Sequence, residues 1–136
     1  MMNAHNRPQE TMAPRIAAIV LTALLAGTAL QCARNTEVPV QLIGVWKTDA
    51  PRYEECFLEI REKVVLIGTR EGNVETGAIR SVDKTTKHEM DLYTIRCVDV
   101  GQSDFTLNLY HDAAKRVIRL KNQEQIVWTK AEELNQ

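Results

Sequence analysis

From residue 41 to residue 130 the chain alternates apolar and polar positions in short runs, with a period of two rather than 3.6. Such alternation marks half-buried strands, because successive side chains leave opposite faces of a sheet. The cleanest run is FTLNLY (105–110), with Phe105, Leu107 and Leu109 on one face and Thr106, Asn108 and Tyr110 on the other. CFLEIR (56–61) gathers Cys56, Leu58 and Ile60 on one face, and VVLIGT (64–69) follows after Glu62 and Lys63. QLIGVWKT (41–48), VETGAIRS (74–81), HEMDLYTIRCV (88–98), RVIRL (116–120) and QIVWTK (125–130) bring the strand candidates to eight. Between them lie EGN (71–73), a hairpin signal in which Gly72 can take positive φ, and the polar loop DKTTK (83–87). GQS (101–103) and KNQE (121–124) turn the chain, and HDAAK (111–115) suits a tight turn or one helical turn.

Consecutive strands with short links predict an antiparallel meander, and eight strands suffice to close it into an up-and-down barrel without exposed edges. The fold expected is therefore all-β, an eight-stranded antiparallel barrel, with an open or split sheet as the competing arrangement. The inward set predicted from the alternation is Trp46, Leu58, Ile60, Leu66, Ile95, Phe105, Leu107, Leu109, Ile118, Leu120 and Trp128. These are bulky, and a barrel of eight strands is just wide enough to be filled by side chains or to hold one small ligand. The expectation is a filled interior.

The first forty residues change the picture. IAAIVLTALLAGTAL (16–30) carries no charge, follows Arg15 and falls short of the roughly 20 residues a spanning helix needs. With Arg7 and Arg15 as the positive flank it reads as an export signal, and Met12 is a plausible start. The predicted organisation is a signal peptide over 1–32, a polar tether over 33–40, the barrel domain over 41–131 and a short tail over 132–136. The length of 136 residues, with 44% hydrophobic and 26% charged positions, fits one globular domain. Net charge is −1 over the whole chain, and about −2 once Arg7, Arg15 and Glu10 are set aside. That balance argues against a basic nucleic-acid face or a polybasic membrane patch.

The stretch 12–33 resembles the signals of bacterial lipoproteins, in which a short box precedes a cysteine that is acylated and becomes the new N-terminus. Cys32 stands directly after the apolar run, with Ala29 three positions before it and Gln31 immediately before it. The resemblance implies lipidation of Cys32 and a periplasmic location, with that lipid as the anchor to the outer membrane. Ordinary cleavage after Ala29 or Ala33 is the alternative. The three cysteines are Cys32, Cys56 and Cys97, and an odd number in an exported chain leaves one over. If Cys32 is spoken for, Cys56 and Cys97 remain; strand direction puts both at one end of the barrel, in an oxidising compartment. A Cys56–Cys97 disulfide is the expectation, with two buried thiols as the alternative.

The start Gly44-Val45-Trp46, followed by seven more strands, resembles the lipocalin-type barrels, which open on a Gly-x-Trp strand. The resemblance implies that Trp46 packs at a closed end beneath a basic side chain from the last strand, a role open to Lys130.

Candidate chemistry is sparse. Ser81 and Ser103 sit in no nucleophile elbow. His88 and His111 are 23 residues apart without ligand spacing, so a turn outranks a cation contact at His111-Asp112. Asp99 and Asp104 in DVGQSD lack the calcium-loop pattern, and EGNVETG lacks the lysine and helix of a phosphate loop. Arg52, Tyr53, Glu54 and Glu55 form a polar rim. No catalytic residue, metal or cofactor is expected. The predicted role is a non-enzymatic, exported, cell-envelope lipoprotein of interaction or structural type, meeting an envelope protein and no nucleic acid. A small apolar-ligand-binding barrel is the alternative, as is an exported inhibitor, by analogy of fold with bacterial inhibitors built on small barrels.

Overall fold

The structure is a computed structural model and describes residues 35–131. A short 3-10 turn, Val40–Leu42, leads into eight strands: β1 Gly44–Lys47, β2 Phe57–Ile60, β3 Val64–Gly68, β4 Val74–Lys87, β5 Met90–Asp99, β6 Asp104–Asp112, β7 Val117–Leu120 and β8 Trp128–Lys130. Each pairs antiparallel with the next, and β8 returns to β1, giving a closed barrel in strand order one to eight. The signal peptide with Cys32, residues 33–34 of the tether and the tail 132–136 lie outside the described residues.

Register fixes which side chains look inward. Trp46 stands opposite Leu58, and Leu58 opposite Ile67. Val82, Ile95 and Leu107 form a second row, Tyr93, Leu109 and Leu120 a third, and His111, Ile118 and Trp128 a fourth. The buried apolar members of these rows join Val38, Leu42, Ile60, Val65, Cys97 and Ile126 in one contiguous cluster, against which Phe105, Ile67, Ile79 and Leu120 pack half-buried. Burial on this scale is the main favourable term for so small a domain, about 25 cal/mol for each Å² of apolar surface removed from water.

Four expectations need correction. Leu66 belongs to the outer row, opposite Glu59 and Thr76, while its neighbour Val65 is fully buried. The run VVLIG is apolar at every side chain it has, so alternation could not set its phase. The segment 83–87 is no loop but the second half of β4, and the chain reverses at His88 and Glu89, both at positive φ. The tether, as far as it is described, packs on the barrel: Val38 is buried, and the Val82 amide donates to Asn35 O at 2.7 Å.

The fourth correction is the disulfide. Cys56 and Cys97 are both free thiols. Cys97 lies within β5, opposite Ile79 and Phe105, whereas Cys56 sits just before β2. β3 and β4 stand between those walls, so the two are three strand spacings apart, each about 4.8 Å. A disulfide needs Cα atoms within about 7 Å. Placing both cysteines toward one end was not sufficient, because they occupy different walls.

Candidate functional site

One end of the barrel is plugged. The 3-10 turn crosses it, delivering Leu42 into the core with no exposure to solvent. Pro39 precedes the turn and the amides of Leu42 and Ile43 close it onto Pro39 O and Val40 O. Trp46, the third residue of β1, donates its indole N–H to Leu42 O at 2.9 Å, tying the strand to the plug. Lys130, the last residue of β8, is opposite Trp46 in the ladder. Its Nζ lies 5.0 Å from the centroid of the Trp46 ring and donates to Gln41 O at 3.1 Å. That is the Trp–basic pairing which the Gly-x-Trp start implied. Gly44 has φ +140°, and a Cβ there would stand 3.2 Å from the Lys130 side chain, so a glycine leaves room for the lysine's crossing.

Behind the plug stands His111, at 6% exposure, on the inner face of β6. Its ring meets Trp46 and Tyr93 edge-on, with centroids 6.5 Å away in each case. Tyr93 accepts a hydrogen bond at its hydroxyl from Gln41 Nε2 at 3.0 Å, a second tie to the plug. Lys84 Nζ is 5.9 Å from the Tyr93 ring and 3.3 Å from Asp91, whose other oxygen accepts from the Thr86 hydroxyl. Nδ1 of His111 is buried without a hydrogen-bond partner among the described residues. Burial holds the imidazole below its ordinary pKa; Asp91 and Asp112 pull it back up, and Lys130 and Lys84 push it further down. Burial and the neighbouring Arg116 hold the Lys130 ammonium below the usual lysine range.

Trp46, Tyr93 and Lys130 thus tie the entrance turn to the barrel, and His111 packs against both aromatic rings from within. The turn expected at 111–115 starts later than the sequence suggests: His111 is still in β6 and continues the face of Phe105, Leu107 and Leu109 by one more step of two. Carrying the alternation past Tyr110 was the available signal.

The other residues singled out are dispersed. His88 is exposed in the β4–β5 turn. Ser81 is buried, with Arg96 Nη1 donating to its hydroxyl at 3.5 Å. Ser103 caps a turn through its amide, which donates to Asp99 Oδ1 at 2.9 Å, while Asp104 is exposed at the start of β6. Arg52, Glu54 and Glu55 are exposed at the opposite mouth, where the Tyr53 hydroxyl accepts from Gln123 Nε2 at 3.0 Å. No group of three or more His, Cys, Asp or Glu side chains among the described residues could hold a metal ion.

Fold and site together define a small, closed, antiparallel β-barrel with one plugged end. No family model matches the chain, and no curated protein or solved structure matches it either.

Proposed function

We propose that this protein is a non-enzymatic, lipocalin-like barrel of the bacterial cell envelope, exported by its N-terminal segment, lipidated at Cys32 and working through its outer surface on an envelope partner. The observation that carries the reading is the interior. Buried side chains from Leu42 and Trp46 at the plug to Ile126 and Trp128 form one cluster, which supports a barrel filled by its own residues rather than a carrier. The Lys130–Trp46 stack under the 3-10 turn supports the lipocalin-like label. A small apolar ligand at the mouth is the competing reading, favoured by the half-buried Phe105 and Leu120.

Leu109 is fully buried between Tyr93 and Leu120 in the ladder. In a filled barrel Leu109→Ala opens a void and costs about 2–5 kcal/mol, read by urea unfolding. A fluorescent fatty acid then shows no saturable binding to the unaltered protein. Saturable binding together with a loss near 1 kcal/mol or less sinks the filled-interior reading and favours a ligand carrier. The anchoring reading is tested by intact mass of the membrane fraction. Two or three acyl chains on Cys32 are expected, and a soluble product beginning at Leu30 or Arg34 refutes it.

A further inference from the structure

The β4–β5 hairpin outruns its neighbour on one side. β3 pairs with β4 only over Val74–Ala78, whereas β5 follows β4 down to the pair Lys87 and Met90. The bulge at Ile79/Ser81 turns the lower half of β4 away from β3. Along that free side, Val82 N–H meets Asn35 O at 2.7 Å. The direction of the remaining groups follows from the ladder. A two-residue turn at His88-Glu89 makes Lys87 and Met90 a hydrogen-bonded pair, and such pairs alternate along antiparallel strands. Asp83, Thr85 and Lys87 therefore spend their backbone groups on β5, and Val82, Lys84 and Thr86 aim theirs outward. The Val82–Asn35 bond agrees with that assignment. The backbone groups of Lys84 and Thr86 have no partner on this edge among the described residues.

We propose that this edge pairs antiparallel with the same edge of a second copy of the chain, about a two-fold axis at Thr85. In that register Lys84 and the partner's Thr86 exchange both backbone hydrogen bonds, and the axis repeats the exchange, so every outward group of Lys84 and Thr86 is used. Asp83 stands directly opposite the partner's Lys87, twice by symmetry, and the two lie on the same face of the exposed strand. The Lys84 charge is already matched by Asp91 at 3.3 Å, and Asp83 also meets Arg96 of its own chain. Lys87 is therefore the charge that gains its first ion-pair partner among the described residues across the axis, with Asp83 shared between Arg96 and the partner's Lys87. Neighbouring registers are worse: an axis at Lys84 opposes two lysines and an axis at Asp83 two aspartates, both unfavourable across strands. An axis at Thr86 sets Lys84 against the partner's His88, a turn residue, and leaves the outward groups of Lys84 unused. The charge order Asp83, Thr85, Lys87 thus complements itself, as an isologous interface requires, and the strand-addition mode is one that exposed edges commonly serve. The inference holds whether the interior is filled or hollow.

Sedimentation of the full chain over a concentration series, with charge-reversed variants, tests it. Lys87→Asp weakens self-association on the order of tenfold or more by opposing Asp83 with a like charge. Asp83→Lys weakens it likewise while also giving up the Arg96 contact, and the double variant recovers most of the loss because the pair across the axis is exchanged. Thr85→Cys oxidises to a linked dimer beyond the level of the unaltered chain, while the exposed Asn122→Cys does not. A chain that stays monomeric throughout, a double variant as weak as the singles, or Thr85→Cys linking instead to an unrelated protein overturns the proposal.

Discussion

His111 is a titratable ring placed where its charged form is poorly served. The largest influence on it is burial, which favours the neutral imidazole; the carboxylates of Asp91 and Asp112 offset part of this and Lys130 and Lys84 add to it. The folded-state pKa is below the unfolded value of about 6.5, so below that value the unfolded chain takes up the proton more readily. Stability from His111 is complete above pH 6.5 and is lost as pH falls from there through the folded-state value. Urea midpoints for the native protein are expected to decline from pH 7 to pH 5, and His111→Phe, which keeps an aromatic ring against Trp46 and Tyr93, should flatten that decline. Parallel curves for the two proteins would assign the acid sensitivity elsewhere.

At the scale of elements, glycines and aromatics settle how the strands lie together. Gly77 faces inward on β4, and a Cβ there would fall 2.3 Å from Phe105 Cζ and 3.0 Å from Cys97 Cβ. Gly77→Ala therefore forces the Phe105 ring off its seat, and overpacking of this kind costs about 1–3 kcal/mol. Shortening the obstacle with Phe105→Leu in the Gly77→Ala background should return part of the loss, a coupling measured by a double-mutant cycle on urea midpoints. Additive losses would mean that the ring is not what the methyl meets. The same scale explains what was legible. Every strand's existence, and the links at 62–63, 71–73, 101–103 and 121–124, follow from alternation and turn residues, because one buried face imposes a period of two. The overhang at 83–87 was hidden since its residues are polar. Pairing with β5 makes it a strand, supported by Lys84–Asp91, Thr86–Asp91 and Asp83–Arg96 contacts that sequence spacing does not display. The plug was only half legible: Gly44 and Trp46 pointed to Lys130, but nothing local marks Val40–Leu42 as a helical turn rather than the beginning of a strand.

For the whole molecule, closure of the barrel ties the fate of Cys97 to global unfolding. Its side chain has 1% exposure, sits inside a wall with neighbours on both sides, and burial pushes the thiol pKa up to about 11. A thiol reacts as its thiolate, so near neutral pH Cys97 is shielded twice, by access and by protonation. Cys56 lies at the mouth, half-buried and outside the ladder. With no free edge to peel from β5, Cys97 becomes reachable when the barrel opens as a unit. Thiol labelling of the native protein, assigned by peptide mapping, should therefore modify Cys56 readily and Cys97 at a rate that tracks unfolding. Leu109→Ala, which weakens the core without touching either cysteine's strand end, should accelerate labelling of Cys97 by roughly the factor by which it lowers the folding equilibrium, about 30-fold or more for a loss of 2 kcal/mol or above. Cys56 should be unaffected by the same change. Equal native labelling of the two would show that the wall opens locally at β5, and complete protection of both until a reductant is added would show that they are joined after all.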